Sequence, residues 1–261
     1  MTSPMRDNGN NRGAHSAAGI PIAGLRMELV NAAYGSYLLI RCDTALRTLN
    51  SSPWGGGFGM HTALMNRQVD KLYNEADPLS EMDAFMRREG LSPGETAGML
   101  TAAMVKDAGY RTLTWTGDGV EELGHARSSA HEQERLHVCA WVTVGLGNKA
   151  RAGAVLPAAS LYPGTINTIL VIDAQLTDAA MVNAVITATE AKAAALHDLG
   201  IVTADGKPAT GTTTDAVLVA ATGRGRTYSY AGTATAVGYM IGRMVYEAIM
   251  ASGRIYEKTP Y

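Results

Sequence analysis

GTINTILVIDAQLTDAAMVNAVITATEAKAAALHDLG, residues 164–200, decides the fold. Its apolar run to Ile172 has the length and bulk of a buried strand. A helical pattern follows, with Thr177 or Asp178 as N-cap and Gly200 as the stop. The turn-rich ATGTTTD, residues 209–215, leads into a second buried strand, AVLVAATG, and then into a small-residue helix, residues 233–253. Strand, covering helix and second buried strand are the makings of an α/β fold. The reading is a single-domain layered α/β sandwich with mixed sheets.

Working outward, LRMELVNAAYGSYLLIRCD reads as two short strands around Tyr34 and Gly35, and LHVCAWVTVGLGN as another strand. Between them, Trp54 precedes Gly55, Gly56 and Gly57, a run that permits positive φ and close approach by a ligand. Met60, Leu64, Met65, Val69 and Leu72 recur at helical spacing, so a helix is expected there. Residues 77–109 read as two helices broken at Gly90, the second opened by Ser92 and Pro93. The polar run 121–135 reads as a loop or a solvated helix. Residues 1–18 are expected to be a disordered tail and 19–261 one domain.

Hydrophobic residues make up 46% and charged residues 18% of the 261, enough to fill a core. A formal charge of −2 gives no electrostatic reason to expect nucleic acid or an anionic membrane as partner; the partner expected is a small-molecule substrate. No apolar run approaches the ~20 residues that span a bilayer, and the N-terminus lacks the apolar segment of a secretory signal. The expected location is cytoplasmic, with Cys42 and Cys139 as reduced thiols. His125, His131 and His137 do not share a helix face, so no metal site is expected, and no nucleotide-binding glycine motif implies a cofactor. Gly238 and Gly242, four apart, would allow close helix packing and hence a homo-oligomer.

Small polar residues cluster with glycine at several strand ends, where α/β proteins commonly build sites. Thr165 and Asn167 share a strand face, and Thr213 and Asp215 do so if their strand has begun. Either these are turn residues or they floor an active site. Val182, Val185, Ile186, Thr189, Ala193 and Leu196 make a stripe on the helix, with Glu190 and Lys192 on its borders, each free to reach a neighbouring element. Ser51, Ser52, Trp54, Gly55–Gly57, Phe58, His61 and Asn167 are candidate substrate contacts, Trp54 and Phe58 by stacking on a flat ligand.

LNSSPWGGGFG, MNRQV, VTVGLGNKARAG, PGTIN, ITATEAKAAALHDLGI and ATGTTTDAVLVAATG, in that order, resemble the adenosylcobinamide amidohydrolase (CbiZ) family from about Gly24 to Met250. Val144 and Lys149 stand where that pattern suggests alanine. The resemblance implies a corrinoid substrate and hydrolysis of the amide that joins aminopropanol to the corrin ring, giving adenosylcobyric acid. GTINTILVIDAQLT followed by TGTTTDAVLVAATG is also similar to the DmpA-type aminopeptidases and ornithine acetyltransferases, whose Ser or Thr nucleophile is exposed by self-cleavage. That similarity implies Thr165 as nucleophile, Thr213 and Asp215 as a relay and Asn148 as an oxyanion donor. Amide hydrolysis without a metal needs such a nucleophile, helped by Lys192, Glu190 or Asp215, or else a water activated by Glu190 or Asp215. Two other readings remain. One is an amidase or acyltransferase on another amide, suggested by Lys149 and residues 111–135. The other is a non-catalytic tetrapyrrole-binding protein.

Overall fold

The computed structural model describes residues 19–33, 35–116, 119–121, 135–155 and 164–258, with the backbone alone at 119–121. The tail 1–18, Tyr34, most of the 121–135 segment, His125 and His131 lie outside the described residues. In chain order the elements are β1 Leu25–Ala32, β2 Gly35–Asn50, β3 Gly57–Gln68, α1 Pro78–Arg88, β4 Thr96–Thr101, β5 Gly109–Thr116, β6 Gly119–Glu121 and β7 Leu136–Val144. They continue with β8 Lys149–Ala150, β9 Ile166–Ile172, β10 Gln175–Leu176, α2 Asp178–Asp198, β11 Gly211–Thr212, β12 Ala216–Ala221, β13 Thr227–Tyr228 and α3 Ala236–Lys258.

One mixed sheet runs β4-β3-β2-β12-β9-β7-β5-β6, with β1 paired to β2. β12 lies parallel to β9, Ala216 beside Asn167, while β7 is antiparallel to β9 and β2 antiparallel to β12. This bears out the α/β reading, and side-chain alternation supplies the layers. On β7, β9 and β12, Val138, Val142, Leu170, Ile172, Val217 and Val219 face α2 and α3. Their alternates Cys139, Trp141, Ile169, Val171, Leu218 and Ala220 face Ile22, Leu38, Ile40, Leu64 and Met99 of the β1–β4 region. Beyond that, Val30, Leu39, Ala63 and Met65 pack on Met82, Phe85 and Met86 of α1. The order is therefore helices, sheet, the folded-over part of the same sheet, helix. A register shift in β2 between Arg41 and Leu46 lets the strand change direction.

Two expected helices are strands. Met60–Gln68 lies within β3, and residues 96–101 form β4, hydrogen-bonded parallel to β3. Both strands are covered on both faces, so apolar residues fill consecutive positions and mimic a helical period. Residues 45–50 complete the 16-residue β2. The α2 boundaries hold: Thr177 Oγ1 accepts from Ala180 N–H at 3.2 Å, and Gly200 takes φ +70°. Its buried face does not match the expected stripe. Ala180, Met181, Ala184, Thr187, Ala188, Lys192, Ala195 and Leu196 are buried, whereas Val182 and Ile186 are exposed. The small face fits because α2 is wedged against α3 and the sheet. Gly242 serves this packing inside the chain, beside Thr187, and Gly238 abuts the backbone of Ala231 and Gly232. Cys42 and Cys139 are both free thiols, buried in the core. Among the described residues no helix is long and apolar enough to cross a membrane.

Candidate active site

The N-terminal ends of β9 and β12 meet the C-terminal ends of β3 and β4 around a cleft of about 300 Å³. Gly164 and Thr165 come from the start of β9, and Thr213 and Thr214 from the turn before β12. Val69, Asp70, Lys71 and Tyr73 follow β3, while Leu100, Thr101 and Ala102 end β4. Asn148 is brought in by the short β8–β11 ladder, which sets Lys149 opposite Thr212. Lys149 itself is exposed. A larger cavity, about 850 Å³, lies around Asp173, Arg226 and Tyr228 at the far end of β9, and none of the predicted site residues lines it.

Thr165 is 6% exposed, and its Oγ1 lies 2.6 Å from Thr214 Oγ1 and 2.8 Å from the Gly164 carbonyl oxygen. Thr214 Oγ1 donates to that same carbonyl at 2.8 Å, and Thr212 Oγ1 reaches it at 3.3 Å. Three hydroxyls thus surround one peptide oxygen, the one immediately before Thr165. The two closest hydroxyls share two protons among three contacts. The arrangement in which Thr165 donates to Thr214 and Thr214 to the carbonyl leaves the lone pairs of Thr165 open to the cleft.

Asp215 does not touch either hydroxyl. Its Oδ1 accepts from Ile166 N–H at 3.0 Å and from Thr212 N–H at 3.1 Å, and it also accepts from Thr212 Oγ1. Its Oδ2 is bound to Lys192 Nζ in an ion pair whose lysine is 8% exposed. Gly211 makes room for the pair, because a Cβ there would overlap Asp215 Oδ2. The carboxylate is therefore saturated, and it pins the Thr165–Ile166 peptide to the 211–215 turn. The Thr213–Asp215 relay expected from sequence is not formed, since β12 begins only at Ala216. Thr213 Oγ1 instead accepts one N–H of Asn148 Nδ2, and the Asn148 Oδ1 abuts Gly164. The second N–H of that amide is left over at the cleft wall. Glu190 sits on the exposed side of α2 in the groove with Tyr239 and Arg243, away from the cleft.

Asn167, fully buried, faces inward. Its Nδ2 donates to Asn66 Oδ1 at 2.9 Å and to the Leu100 carbonyl at 2.8 Å, and Asn66 Nδ2 donates to Thr143 Oγ1 at 3.0 Å. This amide chain ties β9, β3, β4 and β7 together beneath the cleft and is a brace more than a substrate contact. The glycine loop is also removed from the cleft, which no residue of 51–61 lines. Ser51 is bonded to Val217 through both its backbone N–H and its Oγ, and Ser52 N–H donates to Asn50 Oδ1. Trp54 packs beside Gly98 with Met82 and Met86, and half-exposed Phe58 has the Arg47 guanidinium 5.6 Å from its ring centroid, so the two expected stacking rings both stand outside the cleft lining. His61 is buried against Gly55 and Gly59, with Nδ1 2.7 Å from Thr48 Oγ1, and burial holds its imidazole below the ordinary value. Gly55 and Gly57 adopt positive φ, while Gly56 would meet the Ser52 carbonyl if it bore a Cβ. The loop is a shaped turn around His61.

Sequence reasoning missed Thr214, Tyr73 and the Arg67–Glu81 pair behind it. The threonine run was visible, but which hydroxyl faces Thr165 depends on where β12 begins. Among the described residues no group of three His, Cys, Asp or Glu side chains is placed to hold a metal ion.

Against known proteins, the chain matches the family model for adenosylcobinamide amidohydrolase over residues 23–123 and 120–260. An adenosylcobinamide amidohydrolase from Halobacterium salinarum is 42% identical over 133 residues, 47% of this chain and 54% of that protein. One from Methanosarcina mazei is 30% identical over 213 residues, 77% of this chain and 87% of that protein. The match thus spans about half the length of the first relative and most of the second. The crystal structure of the PH0078 protein from Pyrococcus horikoshii OT3 overlays with a TM-score of 0.46 at 10% identity, covering 88% of this chain and 82% of that one, too loose to assign a shared fold.

Proposed function

The chain belongs to the adenosylcobinamide amidohydrolase family, and from that premise we propose that it hydrolyses the amide joining aminopropanol to the corrin ring of adenosylcobinamide, with Thr165 as nucleophile. The products would be adenosylcobyric acid and aminopropanol. The observation that carries the nucleophile is the position of Thr165, a buried hydroxyl on the wall of a cleft sized for an amide-bearing limb. Attack by Thr165 Oγ1 on the substrate carbonyl gives an ester and releases the amine, which takes up a proton; water then frees the acid.

A threonine hydroxyl needs a base. Among the described residues no carboxylate, imidazole or amine is hydrogen-bonded to Thr165 Oγ1. The base assigned in this reading is the α-amine of Thr165 itself, liberated by cutting the chain before it. Thr165 Oγ1 would attack the Gly164 carbonyl carbon, the bond to its own nitrogen would break, and that nitrogen would take the hydroxyl proton. Water would then hydrolyse the resulting ester. With Thr165 Oγ1 as the attacking group, the Thr214 hydroxyl, 2.8 Å from the Gly164 oxygen, is suited to hold the negative charge that develops there, with Thr212 Oγ1 farther off at 3.3 Å. Asp215 and Lys192 act at one remove, by fixing the backbone on which Thr165 is mounted.

The test is incubation of the purified protein with adenosylcobinamide, reading corrinoid product by chromatography. Conversion to adenosylcobyric acid supports the reading. A folded protein that binds the corrinoid without converting it would favour a tetrapyrrole-binding role, and one that ignores it would favour another amide substrate.

A further inference from the structure

Accepting that reading, a corrin macrocycle is far larger than the cleft, which can take only the amide-bearing limb. The ring must therefore lie outside, against whatever surrounds the mouth. Val69, Asp70, Lys71 and Tyr73 line the cleft, and the residue between them that does not, Leu72, is 88% exposed, the most exposed leucine among the described residues. A lone exposed leucine is ordinary on a protein surface. This one is set apart by how firmly its turn is held.

Val69 N–H donates to the Thr101 carbonyl at 2.9 Å, stitching the start of the turn to the end of β4. Asp70 then closes the turn twice, its Oδ1 accepting from Leu72 N–H at 2.7 Å and its carbonyl from Tyr73 N–H at 3.0 Å. Tyr73 Oη donates to Glu81 Oε2 at 3.1 Å, and Glu81 is gripped by both terminal nitrogens of Arg67, at 2.6 and 2.8 Å. Arg67 is itself buried, its guanidinium 3.8 Å over the Phe85 ring. Burial, and then the Glu81 carboxylate beside it, push the Tyr73 phenol up to about 12, so it stays a donor at neutral pH. A turn braced by a buried ion pair, yet projecting an apolar side chain into water, is arranged for contact with something apolar and large.

We propose that the Asp70–Tyr73 turn is the docking surface for the flat face of the corrin ring, with Leu72 as its apolar contact, and that Tyr73 and the Arg67–Glu81 pair are positioning residues that hold the turn at the cleft mouth. Specificity for a macrocyclic amide over a small one would then be set by this turn and not by the glycine loop at 55–59. The contact is to the ring, so it is independent of the limb that is cut.

The test is direct binding of adenosylcobinamide and adenosylcobyric acid to the full chain and to Leu72→Ser, by titration calorimetry. Leu72 is exposed, so the variant should keep the wild-type melting temperature. The expected result is an approximately tenfold weaker Kd for Leu72→Ser, the same for both corrinoids because both retain the ring. Unchanged affinity in the variant, weakening confined to adenosylcobinamide, or no binding of either corrinoid by the wild type would overturn the proposal. Adenosylcobyric acid is not turned over, and adenosylcobinamide is titrated in the Thr165→Ala background with and without Leu72→Ser, so a wild-type protein that binds both corrinoids and hydrolyses neither would fail the hydrolase reading while leaving the docking surface standing.

Discussion

The Thr214 hydroxyl is bonded both to Thr165 Oγ1 and to the Gly164 carbonyl oxygen, linking Thr165 to the peptide oxygen before it. Thr214→Val keeps the shape and removes those bonds. Its kcat should fall on the order of 10²-fold with KM little changed; steady-state rates equal to wild type would show that the hydroxyl is a spectator. His61 gives a residue-scale prediction about stability. Its folded pKa lies below the ordinary 6.5 because burial disfavours the charged ring. As pH falls through 6.5, the unfolded chain takes up a proton that the folded chain resists, so stability present above that pH is lost below it. The urea midpoint should therefore drop on acidification from about pH 7.5 to about pH 5.5, and His61→Gln should flatten the slope. An unchanged slope in that variant would assign the acid sensitivity elsewhere. At this scale the sequence pointed to Thr165 correctly as a member of the cleft, but not to its partner. Thr213 and Thr214 are neighbours in a turn, and only the position at which β12 begins decides which of them faces Thr165.

Elements with clear end signals were readable, even β9 and β12 with no wet face, whereas β3 and β4 were not. α2 announced its own ends through Thr177 and Gly200, and β9 and β12 were evident as apolar runs bounded by small polar residues. β3 and β4 lie between two packed layers, and there a strand has no polar face to reveal a period of two. The same crowding explains why the large aliphatic stripe of α2 misled. Its alanine face is the buried one because a nearby helix and sheet leave room for nothing larger. Packing this close can be tested where α3 crosses β5. A Cβ on Gly109 would overlap the Ala248 carbonyl, a backbone group that cannot swing aside. Gly109→Ala should cost about 1–3 kcal/mol in urea unfolding, and a variant as stable as wild type would show that α3 shifts freely.

For the molecule as a whole, the layered α/β sandwich was legible from one strand–helix–strand stretch, yet the site depends on a fold-back that local sequence does not display. The bend in β2 carries the ends of β3 and β4 over the starts of β9 and β12, so residues about a hundred positions apart enclose one cleft. That is why Tyr73 and the Asp70–Tyr73 turn escaped the sequence reading while Thr165 did not, and why the glycine loop, conspicuous in the sequence, proved to be packed around His61 instead. In the proposed function, Thr165 at the cleft wall is the group that cuts a corrinoid amide. The most direct test is the mass spectrum of wild-type protein and of Thr165→Ala, each incubated with adenosylcobinamide, reading the corrinoid and the protein together. The wild type should give adenosylcobyric acid and a chain cut between Gly164 and Thr165, and Thr165→Ala an uncut chain with untouched adenosylcobinamide. Wild-type turnover by Thr165→Ala would contradict that role for Thr165.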